Sequence, residues 1–256
     1  MLALSSNKNL KHIHFIIFEN PIEICSQSSN SSKYESPNGK SIILTCKKNI
    51  CNHELKSLQM NALVTNELQK HNPYLTLEEL ELGLSLFELQ DFEAGALISE
   101  AGRVCNYLFF SERSITRCFY VDDLGEEQTL WMKPEHIFIT EYKSFVHQEK
   151  SIFSLQFYEK TKVMMISRQN LLHLYGTSKN WALFGNNLTE HQHITLIDVF
   201  TNLLANDATR NYKYIEYQFP RFIQVAPLKD IASMLQISPV SLSRIRAGKQ
   251  VKTLIN

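Results

Sequence analysis

The stretch PLKDIASMLQISPVSLSRIRAGKQ, Pro227 to Gln250, decides how the rest of the chain is read. Leu228, Ile231, Ala232 and Leu235 recur at helical spacing, which predicts a first helix with one apolar face and with Lys229, Asp230 and Ser233 turned to solvent. Ala232 is small enough to let a second helix cross closely. Gln236 and Ile237 make the turn, Ile237 filling the angle between the helices. Ser238 followed by Pro239 is a helix start, because Ser caps free backbone N–H groups and Pro suits the first helical position. A second helix over VSLSRIR then turns Leu242 and Ile245 inward and leaves Ser238, Ser241 and Arg244 on the outer face, with Arg246 at the rim. The pattern is a helix-turn-helix whose second helix would enter a DNA major groove. Its chemistry suits that use: an Arg fork takes guanine O6 and N7 together, Ser hydroxyls and helix N-terminal N–H groups hold phosphates, Lys249 and Lys252 add backbone contacts, and Lys229 is a further DNA-binding candidate. The plainer reading is that two short amphipathic helices merely finish a helical domain.

Charge distribution supports the first reading. The whole chain carries 26 basic and 26 acidic residues, so its formal net charge is zero and it is not a protein that is basic all over. Its last thirty residues, however, hold Lys229, Arg244, Arg246, Lys249 and Lys252 against Asp230 alone. With 44% hydrophobic residues, 8 Gly and 7 Pro, the composition is that of an ordinary folded protein. The five cysteines, Cys25, Cys46, Cys51, Cys105 and Cys118, are odd in number and irregularly spaced, which reads as reduced thiols in a cytoplasm. The N-terminus lacks the order of a signal peptide, and no run approaches the ~18 apolar residues of a membrane span.

Working toward the N-terminus, residues 1–59 differ in composition from the rest and include the polar tract SQSSNSSKYESPNGKS. The runs HIHFIIF and SIILTC can pair as strands, but so small a hairpin is marginal in water, and the segment reads as a poorly ordered extension ahead of a cleaner pattern that begins at Met60. Thr76 lies three residues before Glu79, a capping box that opens a helix with Leu80, Gly83, Leu84 and Phe87 on one face. Closely spaced strand runs follow: LQDFEAG, ALISEAG, NYLFFS, SITRCFYV, the hairpin loop DDLGEE, then QTLWM, HIFIT, SIFSLQFY and TKVMMIS. They spell an antiparallel sandwich or barrel ending near Arg168. A long helix over residues 181–208 carries an apolar stripe, Leu196, Ile197, Phe200, Leu203 and Leu204. Taken alone, that stripe fits a dimer seam or a helix packed on its own barrel equally well.

The order lead helix, β-roll, long helix and helix-turn-helix resembles the Crp/Fnr family of bacterial transcription regulators over about residues 60–246. FEAGALISEAGRVCNYLFFSERSITRCFYVDDLGEE is similar to the first half of that family's cyclic-nucleotide-binding-type roll, with Gly95 and Gly102 at tight turns. APLKDIASMLQISPVSLSRIR is similar to the helix-turn-helix of a sensor-divergent branch common in Bacteroidetes-type bacteria. The resemblance implies an α+β fold with four parts: an extension (1–59), an antiparallel β-roll of jelly-roll type (60–180), a dimerisation helix (181–208) and a DNA-binding segment (209–256). It also implies a homodimer on a palindromic DNA site, with RNA polymerase and a small-molecule effector as further candidate partners.

Departures from the family pattern shape the expectation. Cyclic-AMP members hold ribose with a Glu and the cyclic phosphate with an Arg; here Tyr142 and Ser151 fall at those places, so no tight cyclic-AMP binding is expected. The aromatic wall of Trp131, Phe138, Tyr142 and Phe145 is a candidate pocket for some other effector, or simply barrel core. In the Fnr branch, closely spaced cysteines carry an iron–sulfur cluster; Cys25, Cys46 and Cys51 lack that spacing. Pro239 and Val240 replace the Arg-Glu pair that many members use to read DNA, leaving Arg244 as the matching base reader. Gln236 stands where a turn Gly is usual and must tolerate a left-handed backbone. Only AGKQVKTLIN follows the second helix, too little for a full β-wing.

The rivals come from other classes. One is an interaction or ligand-binding module with degenerate DNA binding. The other is a cupin-type metalloenzyme, which needs His and carboxylate ligands converging inside the barrel. His136 and His147 form no His-x-His pair, and His191 and His193 sit two apart on a helix, where side chains diverge. With no phosphate loop, nucleophile elbow or Cys-x-x-Cys either, the expectation is a non-enzyme with no catalytic residue, metal or cofactor.

Overall fold

A computed structural model describes residues 15–19, 31–35, 40–45 and 52–248, with side chains from residue 57 onward. The chain divides into two units, residues 1–62 and 63–256. In the first, β1 (Phe15–Glu19), β2 (Ser31–Glu35) and β3 (Lys40–Thr45) form an antiparallel sheet in the order β1-β3-β2. The two strand runs of the sequence do pair, Phe15 opposite Leu44, and β2 adds a third member on the far side of β3. Helix α1 (Asn52–His71) follows.

The second unit takes in the end of α1 and then α2 (Leu77–Ser85), whose start is the expected capping box: Glu79 N–H donates to Thr76 Oγ1 at 3.2 Å and Thr76 N–H to the Glu79 carboxylate at 2.8 Å. Then come β4 (Glu88–Phe92), β5 (Leu97–Ser99), β6 (Tyr107–Ser111), β7 (Thr116–Val121), β8 (Glu127–Lys133), β9 (Phe138–Ile139), β10 (Ser154–Phe157) and β11 (Thr161–Ser167). They pair antiparallel as two four-stranded sheets, β5-β10-β7-β8 and β4-β11-β6-β9. Apolar side chains from both, including Phe109, Ile139, Phe157, Val163 and Met165, meet in one buried cluster, as period-two alternation requires of two sheets sharing a core. Gly102 takes φ 84° at its turn, a conformation that a Cβ disfavours. The DDLGEE loop joins β7 to β8: Asp122 Oδ1 accepts from the N–H groups of Leu124 and Glu126 and so holds the hairpin closed.

One short helix, α3 (Tyr142–His147), lies where the sequence suggests only an aromatic wall. Glu141 starts it by accepting from Lys143 and Ser144 N–H at 3.2 and 2.9 Å. Helix α4 (Arg168–Thr177) closes the roll where helical spacing resumes in the sequence. Helix α5 (Lys179–Ala205) begins at a Ser178 cap and ends before Asp207, which caps α6 (Ala208–Gln218). Its N-terminal half is locked to α2. Trp181, fully buried, donates Nε1–H to the Glu79 carbonyl at 3.1 Å and lies so close to Gly83 that a Cβ there would run into the indole ring.

The C-terminal helices are α6, α7 (Pro220–Val225), α8 (Leu228–Met234) and α9 (Pro239–Arg246). Helix α7 starts at Pro220, which occupies the first turn, where its missing N–H costs nothing. These helices do not form a separate core. Ile115 and Met132 of the roll are buried together with Tyr212, Phe222, Ile231, Leu235, Leu242 and Ile245 in one cluster.

Candidate nucleic-acid interface

Helices α8 and α9 are joined by Leu235, Gln236 and Ile237, and the backbone there explains how the turn is made without glycine. Gln236 adopts φ 55°; its N–H donates to the Ser233 carbonyl at 2.9 Å, and Ile237 N–H reaches back to the Ala232 carbonyl at 3.0 Å. Those two bonds satisfy the last carbonyls of α8 in the manner of a Schellman cap. Ile237 packs against the C-terminal core, as its place in the turn requires. Ser238 Oγ then accepts from Ser241 N–H at 3.1 Å and Pro239 occupies the first turn of α9. Leu242 and Ile245 are buried, and Ala232 is fully buried at the crossing.

The outer face of α9 is open. Ser238, Arg244 and Arg246 are exposed, Ser241 is half-buried, and Lys229 on α8 is exposed. Arg244 has no ion-pair or hydrogen-bond partner among the described residues. Arg246 instead leans back on α6, its guanidinium carbon 5.7 Å from the centre of the Tyr212 ring. Lys249, and the question of a wing beyond it, lie outside the described residues.

The face of α8 departs from the expectation. Asp230 and Ser233 do not point to solvent; Asp230 is 3% exposed and both turn toward the roll. Asp230 accepts from Tyr158 O–H at 2.9 Å and pairs with Arg117 of β7 at 3.4 Å. Arg117 is itself buried, donating to Thr129 at 2.9 Å and to Glu127 at 2.7 Å while lying over the Phe119 ring. Burial and the Asp230 carboxylate push the Tyr158 phenol far above its ordinary pKa, so it stays a hydrogen-bond donor. Ser233 accepts from Thr129 N–H and donates to Gln128, each at 2.9 Å, and Gln128 in turn donates to Asp122 in the hairpin loop at 2.8 Å. Strand β8 is the edge of its sheet, so its free N–H would otherwise be an open pairing site. Helix α8 covers that edge. Arg221 of α7 adds a second tie, to Glu135 at 2.6 Å and Glu159 at 2.5 Å.

Of the apolar stripe on α5, Leu196, Ile197, Phe200 and Leu204 are exposed, whereas Leu203 packs against the C-terminal core. The aromatic wall splits as well. Trp131 and Tyr142 line a cavity beside α5, but Phe138 is fully buried among Phe87, Phe110 and Phe184, and Phe145 is half-buried on α3 away from that cavity. The sequence carries no signal that separates pocket from core here, since both demand aromatic residues. His191 and His193 both lie on α5, and no three His, Cys, Asp or Glu among the described residues cluster as a metal site.

No protein-family model matches this sequence, and no curated protein resembles it significantly. Solved structures do. The c-di-GMP-responsive global regulator CLP of Xanthomonas campestris superposes with a TM-score of 0.53 at 14% identity, over 68% of this chain and 91% of CLP. A transcriptional regulator of the Crp/Fnr family from Eubacterium rectale gives a TM-score of 0.53 at 15% identity, over 68% of this chain and 83% of its own. Identity this low speaks to architecture: antiparallel roll, long helix and C-terminal helices in this order give the chain the Crp/Fnr fold.

Proposed function

We propose that the chain is a sequence-specific DNA-binding transcription regulator, without enzymatic activity, that works as a homodimer on a palindromic site. In this reading residues 60–180 form the sensing or bracing roll, 181–208 the pairing helix and 209–256 the DNA-binding segment. The observation that carries it is the outer face of α9: a capped helix start, two serines and, in solvent, an Arg244 without an ion-pair or hydrogen-bond partner among the described residues, on a helix whose other face is fixed by Leu242 and Ile245. An exposed guanidinium with no ion-pair or hydrogen-bond partner among the described residues is free for a base edge, and Ser241 Oγ, which accepts from Ser238, keeps its own O–H for a phosphate. The exposed stripe Leu196, Ile197, Phe200 and Leu204 supports pairing, since such residues in a row leave apolar surface that a second copy would bury. Pairing about a two-fold axis sets two α9 helices about one DNA turn apart.

Cyclic AMP is not the effector in this reading. The amide groups at the start of α3 are already taken by Glu141, and the Ser151 hydroxyl, at the place of the family's Arg, accepts from Phe153 N–H and donates to the Phe153 carbonyl, each at 2.9 Å. Neither group is left for a cyclic phosphate. No described helix is long and apolar enough to cross a membrane.

The test is selection of binding sequences from random duplex DNA with the full chain, followed by affinity for the winner and for a scrambled duplex at two salt concentrations. Enrichment of a palindrome with half-sites about one turn apart, and affinity that falls steeply with salt, are expected. No enrichment, with equal weak binding to both duplexes, would favour the degenerate module.

A further inference from the structure

A cleft of about 520 Å³ opens between β8, the start of α3, the middle of α5 and the helices α6 to α8. Its walls are mainly apolar: Trp131 and Met132 from β8, Leu188 and Val199 from α5, Phe222 from α7. A space of that size and character suits a small organic molecule.

The charged groups around it are unequally partnered. Two carboxylates border the cleft and both are engaged. Glu67 is bonded to His71 at 3.1 Å and paired with Lys70 at 3.5 Å, while Glu141 caps α3. Lys133 also lines the cleft. Its ammonium stands 5.9 Å from the centre of the Trp131 ring and has neither a carboxylate nor a hydrogen-bond partner among the described residues. Burial lowers its pKa, the mark of an ammonium withdrawn from water without a counter-ion. His191, across the cleft on α5, feels the same field: burial first, then His71, Lys70 and Lys133, lower its pKa against the opposing pull of Glu67. The apolar cleft therefore holds one ammonium that touches no carboxylate among the described residues.

We propose that this cleft binds an apolar carboxylate, an acyl or aryl-acyl acid whose carboxylate pairs with Lys133 and whose body lies along Trp131, Leu188 and Val199. A single ammonium matches a monoanion. A phosphate would need an Arg fork or free helix amides, and the α3 amides are occupied by Glu141. As regulation, the acid's role rests on the DNA-binding reading proposed for the chain; as binding chemistry it stands alone. Leu196 and Leu203 line the same cleft, so a bound acid would back the helix proposed for pairing and tie its occupancy to the DNA-binding form.

The experiment titrates the full chain with dodecanoate, dodecanol and dodecylamine below their micellar concentrations, read by calorimetry and tryptophan fluorescence. Dodecanoate should bind about tenfold or more tightly than dodecanol, and dodecylamine should bind most weakly. Lys133→Met, or Lys133→Gln should the Met variant fail to fold, should erase the preference for the acid while sparing dodecanol. Val199→Trp, which fills the cleft and keeps Lys133, should weaken both. Equal affinity for acid and alcohol in the native chain, or a preference that survives loss of Lys133, overturns the proposal. So does acid binding seen only in monomer, since the cleft then belongs to a second copy. If the acid binds as described yet leaves affinity for the selected duplex unchanged, the effector role fails and the ligand class stands.

Discussion

Helices α8 and α9 have nearly the same polar content and use it in opposite ways. Helix α8 commits Asp230 and Ser233 to the roll, where they satisfy Arg117, Tyr158 and the exposed edge of β8. Helix α9 keeps Ser238 and Arg244 in solvent, with Ser241 half-buried beside them. That asymmetry fits the DNA-binding reading proposed for the chain. One helix acts as the anchor, and the other is held at a fixed angle with its face free. Helix α5 repeats the contrast along its own length: Trp181, Phe184 and Leu188 are buried, while Ile197, Phe200 and Leu204 are exposed.

The largest expected effect falls on the anchor. Asp230→Ala removes one partner of a buried ion pair and strands the Tyr158 hydroxyl, so urea unfolding should show a loss of about 3–5 kcal/mol. A loss near zero would mean that α8 does not dock as described. By contrast, Arg244→Ala should change stability by less than about 0.5 kcal/mol, because Arg244 is exposed and has no ion pair or hydrogen bond among the described residues to lose. Between these lies the turn: Gln236→Gly should stabilise the fold by up to about 1 kcal/mol, since glycine adopts φ near 55° without strain. Destabilisation instead would place the Gln236 side chain in a contact that matters.

The smallest effect concerns the anchored half of α5. Bonds from Ser178 first, then from Thr76 and Asn180, hold the Glu79 carboxyl down to about 2 from an ordinary value of 4.5. A depressed carboxylate contributes stability that is present above pH 4.5 and is lost as pH falls toward 2. Glu79 is still reached by solvent, so the contribution is modest and salt-sensitive. Unfolding profiles of the native chain and Glu79→Gln should therefore converge as pH falls through that window and separate above it; parallel profiles would contradict the assignment.

Much of this architecture is legible in the sequence. Ser238, Pro239, Leu242 and Ile245 define α9 through short-range rules of capping and spacing, and Gln236 stands out as the residue that must bend left-handed. The strands of the roll are legible for the same reason, their turns and alternation being local. What cannot be read depends on a distant partner. Asp230 and Ser233 look like solvent residues on a helical wheel; only Arg117 and Thr129, more than a hundred residues earlier, make inward burial favourable. Phe138 and Tyr142 are equally aromatic candidates, and tertiary packing alone sends one to the core and the other to the cleft. Helix α3 escapes notice because Glu141, its cap, sits among aromatic residues that suggest strand.

The most direct test of the central claim compares native chain and Arg244→Ala on the selected duplex and on its scrambled counterpart. If the open face of α9 reads DNA, the variant should lose about 1–3 kcal/mol on the selected duplex and little on the scrambled one, with unchanged stability. Equal binding of both duplexes by native and variant chains would contradict it.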